Sequence, residues 1–288
     1  MKVLLWNPYT KNKNVMDAKI YGHNHSPWVQ AVLLGLHEKK IKYTLYQTPP
    51  FEILKIWGVY MPAAALDGNS WEVESSKILK KIGFNKVSEQ DIRAAQDAWK
   101  GVLHRPDNPF KFFSAWAHAC DLNLPFLKSL INSFLLSFTC FYMFLLINII
   151  KVRFNMEDPE NFGDQYLFWE NELLESDGSF IDGPNPGTRD FLLFGVVQCH
   201  SSLPVPALKA LQKDERLFNL RNWIHKMHER FEDYPHLYSG EFFEPNLPLP
   251  KSSSFLQRIF FYFGIIIMFL AFPITLPLAL FLMKKAPR

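Results

Sequence analysis

Apolar residues in the first third of the chain switch between strand and helix spacing. Lys19–Gly22 reads as a short strand. Pro27 to Lys40 reads as a helix, with proline opening it and Val29, Val32, Leu33 and Leu36 recurring at the 3.6-residue period. Ile41–Tyr46 alternates as a strand does, Val59–Met61 and Ala64–Leu66 read as two more, and Asp67-Gly68-Asn69 is a tight turn. Glu74 to Ile82 is a second helix, closed by Gly83. From Ser88 onward the spacing is helical. Ser88 and Asp91 can cap a helix running towards Leu103, and further helices are read at Asp158–Glu175, Asp190–Cys199 and Glu215–Phe231. Residues 1–17 hold one short apolar run and a polar, Lys/Asn-rich stretch, which reads as an N-terminal arm.

Two blocks break this pattern. Ser129–Ile150 is uncharged between Lys128 and Lys151, and Ile259–Met283 is uncharged between Arg258 and Lys284. At ~1.5 Å per residue the second block gives roughly 37 Å of helix, more than a ~30 Å hydrocarbon core needs. It follows a Pro- and Ser-rich linker, Glu244–Ser254. If both blocks crossed a bilayer, residues 1–128 and 151–258 would lie on opposite sides, and the later helices could not pack on the first domain. At most one crosses, and the tail is the expected span. In the middle block Ser129, Ser133, Ser137 and Cys140 form a small-residue stripe on one helical face, which lets another helix approach closely. Two placements of that block stay open: dipping into one leaflet, or buried as a core helix. The flanking charges do not orient the tail, because cations stand on both sides of it.

Composition narrows the function classes. Across 288 residues, 31 Lys and Arg stand against 28 Asp and Glu, a net +3, which supplies no basic stripe for nucleic acid. With 48% hydrophobic and 20% charged residues the chain is not disordered. Cys120, Cys140 and Cys199 share no close spacing, which excludes a disulfide framework or a zinc ribbon and fits a reducing compartment. His225 and His228 stand beside Glu229 and Glu232, but no ligand set converges on them and no metal is expected. The segment Met1–Pro8 reads as no secretory signal.

The order of parts is distinctive. A strand, Tyr21-Gly-His-Asn-His-Ser-Pro-Trp-Val-Gln30, a helix, the strand from Ile41, then Met61-Pro-Ala-Ala-Ala-Leu-Asp-Gly68 and Glu74-Ser75 resemble the N-terminal domain of the cytosolic glutathione transferases. Phe180-Ile-Asp-Gly-Pro and Thr188-Arg-Asp190 fall where that family caps a helix of its second domain. The resemblance covers roughly residues 18–240. It implies a thioredoxin-like α/β domain at 18–84, then an all-α domain at 88–240 carrying an apolar insertion at 122–153. Beyond the family pattern come a linker at 241–254 and an expected transmembrane anchor at 255–284.

The resemblance also implies roles. Ser26, just before Pro27 at a helix start, would donate a hydrogen bond to the sulfur of glutathione and favour its thiolate; read alone, it is equally an N-cap. Met61-Pro62 matches the family's cis-proline step, where residue 61 pairs with the tripeptide backbone, though an ordinary trans proline would also end a strand. Glu74-Ser75 would take the γ-glutamyl end, carboxylate to ammonium and hydroxyl to carboxylate, or simply cap a helix. One of His23, Asn24 and His25 would touch the ligand or aid thiol deprotonation, and His25 is taken as the contact.

Two departures stand out. Ser26 occupies the place of the redox members' cysteine, which argues against exchange through a protein thiol. Thr188 is only two residues before Asp190, which leaves Gly187 at the cap and predicts a weaker one. The expected protein is a membrane-anchored transferase that uses glutathione as co-substrate to conjugate or reduce hydrophobic electrophiles or lipid-like peroxides. Its partners would be glutathione, an apolar substrate, the membrane and, as the resemblance allows, a second copy in a homodimer. The tail is expected to be a single-pass C-terminal anchor, and the family's need for reduced glutathione implies a cytosolic catalytic domain. The alternatives are a non-catalytic scaffold of the same fold and a glutathione-dependent isomerase or synthase.

Overall fold

Backbone pairing begins where the alternation does. The computed structural model describes residues 16–99, 109–119, 125–153, 160–176, 178–201, 203, 205–240, 243 and 253–283. Outside the described residues lie the arm at 1–15, the helix extension from 100 to Leu103, Cys120, residues 122–124 of the insertion, Asp158, the linker at 244–252 and Lys284. β1 (Asp17–Tyr21) pairs in parallel with β2 (Lys42–Tyr46) and antiparallel with β3 (Ala63–Leu66); β3 pairs antiparallel with β4 (Glu72–Val73), giving the order β2-β1-β3-β4. α1 (Pro27–Glu38) joins β1 to β2, α2 (Phe51–Trp57) joins β2 to β3, and α3 (Ser75–Lys81) follows β4. This is the thioredoxin-like arrangement the resemblance implies. Val59–Met61 is not the expected strand, because Gly58 turns the chain at φ 68 after α2.

The remaining elements are helical: α4 (Glu89–Trp99), α5 (Pro109–Ala119), α6 (Phe126–Arg153), α7 (Leu167–Glu175), α8 (Thr188–Ser201), α9 (Pro206–Lys213), α10 (Phe218–Arg230), α11 (Phe255–Leu270) and α12 (Phe272–Met283). α7 is shorter than its expected span: only a 3-10 turn, Asp164–Tyr166, precedes it. Ser88 and Asp91 cap α4 reciprocally, as read from the sequence, the Asp91 amide donating to the Ser88 hydroxyl at 3.1 Å and the Ser88 amide to Asp91 at 3.0 Å.

α8 is the axis of the molecule, buried from Asp190 to Ser201. It lies against α1 at one point of very close approach: a Cβ on Gly195 would stand 2.2 Å from the Pro27 carbonyl oxygen. No other residue fits there, so the turn carrying Ser26 rests directly on α8. Tyr234 locks the same turn from the far side. Its hydroxyl donates to Gln30 Oε1 at 2.9 Å, and Gln30 Nε2 donates to the Asn24 carbonyl. A bidentate Arg230–Glu38 pair adds a further tie between the two domains.

The cap of α8 is stronger than the sequence predicts. Asp190 is fully buried and accepts four N–H groups: the amides of Ile181 (2.8 Å), Asp182 (3.1 Å) and Gly187 (3.0 Å), and the Trp223 indole (2.8 Å). Asp182 replaces the missing cap hydroxyl by accepting the Arg189 amide at 3.0 Å. Glycine is then required at 187, where a Cβ would meet Asp182 Oδ2 at 2.3 Å. Thr188 is freed to tie the interdomain segment, donating to the Asn85 carbonyl at 2.7 Å.

The two apolar blocks pack on each other. α11 runs beside α6 in the same direction, joined by Gln257 Nε2 donating to the Ser129 hydroxyl and by the Phe134–Phe263 ring contact, and Phe141 of α6 meets Phe272 at the start of α12. Ser129 and Ser137 of the expected small-residue stripe seat α11, whereas the Cys140 thiol donates to the Phe113 carbonyl of α5. Ser129, Ser133, Ser137 and Cys140 are all buried, and a Cβ on Gly264 would fall 1.9 Å from the Ser137 hydroxyl.

The expected C-terminal transmembrane helix is not formed. The tail breaks at Ala271 and α12 leaves α11 at 85°, with Pro273 in its first turn. Among the described residues one unbroken helical stretch, Phe126–Leu145 in α6, is long and apolar enough by composition to cross a membrane. The α11–α12 pair would qualify only as a broken span.

Candidate functional site

Two adjoining cavities open between the α/β domain and the helices. The smaller, about 330 Å³, is lined by Met61, Pro62, Glu74, Ser75 and Ser76 from the first domain, with Gln96 and Trp99 of α4 opposite. The larger, about 690 Å³ and mainly apolar, is lined by His23 and Ser26 together with Leu135, Leu136 and Met143 of α6. Trp28, Tyr60, Met61 and Trp99 line both.

Ser26 sits at the N-cap of α1 in extended conformation (φ −74, ψ 131), yet its side chain makes no cap hydrogen bond. The capping reading of this residue therefore does not account for its hydroxyl, which faces the large cavity beside a helix start where amides and dipole favour negative charge. The Met61–Pro62 bond is cis. Met61 lies just before β3, outside its ladder, and borders both cavities.

Glu74 holds a left-handed backbone at φ 77, a conformation a residue with a side chain adopts at a cost, and such outliers gather where a site needs a particular geometry. Its carboxylate accepts the hydroxyl of Tyr60. Burial, and then the hydrogen bond and charge of Glu74, raise the Tyr60 phenol above its ordinary value, so it stays a neutral donor. Ser75, buried at 7% exposure, follows at the first position of α3 and lines the small cavity.

Met61, Pro62, Glu74 and Ser75 line the small cavity and Ser26 the large one, with Met61 common to both, while His25 lines neither. That ring is fully buried, packs on Tyr238 with centroids 5.1 Å apart, and borders neither cavity. The reason is local: Ser26 closes a turn by donating its amide to the His23 carbonyl, which sends residues 23 and 25 in different directions. His23 faces the large cavity instead, against Trp116, and burial holds its ring down to about 4, neutral near pH 7. Cys199 also lines that cavity, but burial pushes its thiol up to about 12, which leaves it a poor nucleophile. Tyr60, Trp28 and Trp99 line both cavities without standing out as candidates in the sequence; for Tyr60 the available signal is its place beside Met61. Among the described residues no three His, Cys, Asp or Glu side chains are grouped to hold a metal ion.

No protein-family model matches the sequence, and no curated protein matches it. Among solved structures the chain is similar to a theta-class glutathione S-transferase from the citrus canker pathogen Xanthomonas axonopodis pv. citri with glutathione bound. Identity is 16%, over 80% of this chain and 99% of that one, with a TM-score of 0.41. It is similar to a delta-class glutathione transferase from Nilaparvata lugens at 12% identity, 78% and 96% coverage and a TM-score of 0.42. A glutathione S-transferase from Xanthobacter autotrophicus gives 14% identity, 73% and 92% coverage and a TM-score of 0.38. All three scores lie below 0.5.

Proposed function

We propose that the protein binds glutathione in the small cavity and presents its sulfur, hydrogen-bonded by Ser26, to an apolar second substrate in the large one. The observation that carries this reading is the Ser26 hydroxyl, uncommitted to its helix and on the wall of an apolar cavity that adjoins one carrying Glu74, Ser75 and Ser76. The tripeptide suits the residues around the small cavity. Glu74 offers a carboxylate to its ammonium, Ser75 a hydroxyl to its α-carboxylate, and Met61 an unladdered backbone for strand-like pairing. Tyr60 fixes the Glu74 carboxylate through its hydroxyl.

The thiol loses its proton to solvent, and the Ser26 hydroxyl stabilises the thiolate. The thiolate then attacks an electrophilic carbon; a C–S bond forms as the leaving group departs with the bonding pair. With a lipid hydroperoxide the thiolate takes the terminal oxygen and releases the alcohol. A second glutathione then converts the sulfenic acid to the disulfide and water. Aromatic walls from Trp28, Trp99 and Trp116 suit an apolar partner in either case.

Calorimetry of glutathione with the detergent-solubilised full chain tests the binding half. The Glu74→Ala, Ser75→Ala variant is expected to bind about 100-fold more weakly, the loss of two charge-assisted contacts. Ser26→Ala is expected to keep glutathione affinity while turnover of 1-chloro-2,4-dinitrobenzene falls about 100-fold. A folded wild type that binds no glutathione would overturn the proposal and favour a non-catalytic module of the same fold.

A further inference from the structure

Three helices leave their apolar faces uncovered, and they adjoin one another. Ile131 and Leu135 on α6, Phe263 and Ile266 on α11, and Ile274 and Leu278 on α12 are each more than half exposed. α12 packs against α2, whose Phe51 and Ile56 extend the same surface. We infer that this face lies within one leaflet of a lipid bilayer, in its plane, and that the large cavity opens into it. The second substrate would then be a lipophile dissolved in the membrane. Only this last clause rests on the proposed function.

α12 is apolar all round. Its one polar side chain, Thr275, donates to the Ala271 carbonyl, and a helix of that kind belongs in a core or in lipid. Among the described residues, Ile274, Leu278 and Phe281 on it stay more than half exposed. Its 12 residues span about 18 Å, too short for a core of ~30 Å. α6 is long enough, but its Leu136 and Cys140 belong to the same core as Trp116 and Phe194. Crossing the membrane on end would drag that core into it, whereas lying along the surface does not.

Charge agrees with this placement. Residues 125–153 and 253–283 contain no Asp or Glu, while Lys128, Arg153 and Arg258 are exposed at helix ends. Cations at the margins of an uncharged face match anionic headgroups. The cavity shares this margin, since Leu135 (53% exposed) and Val59 (48% exposed) both line it and both face outward. A lipophile could therefore pass from acyl chains to Ser26 without crossing water.

The test uses the full chain in a Cys120→Ser background, with Cys140 and Cys199 buried. Nitroxide labels at Ile259→Cys, Ile266→Cys, Ile274→Cys, Val59→Cys and, as a water-facing control, Glu89→Cys are read by collision with oxygen and with a nickel chelate. The protein is mixed with vesicles of about four parts phosphatidylcholine to one part phosphatidylglycerol, without glutathione, so the outcome is independent of the thiol site. The four apolar positions are expected to gain oxygen collisions and lose nickel collisions only with vesicles present, at similar depth for 259 and 266. A steep depth gradient between those two would overturn the in-plane placement in favour of a span. Nickel shielding without vesicles, with a doubled mass in solution, would assign the face to a second copy and overturn the proposal. A water-accessible Val59→Cys label beside lipid-exposed 266 and 274 would overturn the opening of the cavity into lipid.

Discussion

Unfolding stability of the protein is expected to be flat from pH 8 to 7 and to collapse between pH 6.5 and 5. Burial holds His23 at about 4, His25 at about 3, and His200 and His228 at about 4, all below the ordinary 6.5. A lowered histidine value means that folding keeps the ring neutral. The contribution is complete above 6.5 and is lost as the pH falls, because the unfolded chain takes up a proton that the folded chain refuses. Asp190 works the other way: burial pushes its carboxyl up to about 6, so below that pH the folded chain binds one proton first. Three net protons at about 1.4 kcal/mol per pH unit each give a slope of about 4 kcal/mol per unit. By pH 5 the loss is on the order of 6 kcal/mol, comparable with the whole stability of a typical domain. Urea midpoints taken across this range decide it; a midpoint unchanged down to pH 5 would show that the rings reach water in the native state.

Replacing Asp190 with alanine is expected to cost about 4 kcal/mol at pH 7, where the carboxylate is still ionised. The substitution strands the amides of Ile181, Asp182 and Gly187 and the indole of Trp223 in the interior. It also frees the loop that brings Asp182 to the start of α8. Thr188→Ala, which removes a single bond to Asn85, should cost only about 1 kcal/mol. The readout is a lower urea midpoint with unchanged slope. A shift for Asp190→Ala no larger than that for Thr188→Ala would mean that solvent satisfies the stranded donors.

The sequence-to-structure match is uneven for physical reasons. α1, β2 and α3 follow from period and punctuation, because apolar residues recur at helix or strand spacing in each and each ends at a proline, glycine or polar cluster. α2 was not read at all: it is seven residues long with one buried side chain, Ile53, too short for a period to emerge. β4 is two residues held by pairing with β3, a tertiary contact without local pattern. The cap of α8 was misjudged because Asp182, five residues before Gly187 across a turn, does the work expected of the cap residue itself. Hydropathy read the tail as one helix because it registers apolarity and not the break at Ala271. Ser26, Met61, Pro62, Glu74 and Ser75 stand out in the sequence because each sits at or near an element boundary, and each lines one of the two cavities. Tyr60 was not, since its meeting with Glu74 depends on the turn after α2. His25 was misplaced because which residue of a tight loop faces outward depends on its dihedral angles.

The pairing of α6 with α11 has a consequence for biosynthesis. Ser129 meets its partner Gln257 only after 128 further residues have been made. At roughly 5 to 20 residues per second, this leaves the serine-lined seam of α6 open for about 6 to 25 s on the ribosome. Throughout that interval the nascent chain presents a helix uncharged from Ser129 to Ile150 with a groove cut for another helix. A chaperone or targeting factor that recognises apolar helices has its window then, and a chain ending before Gly264 would never close it.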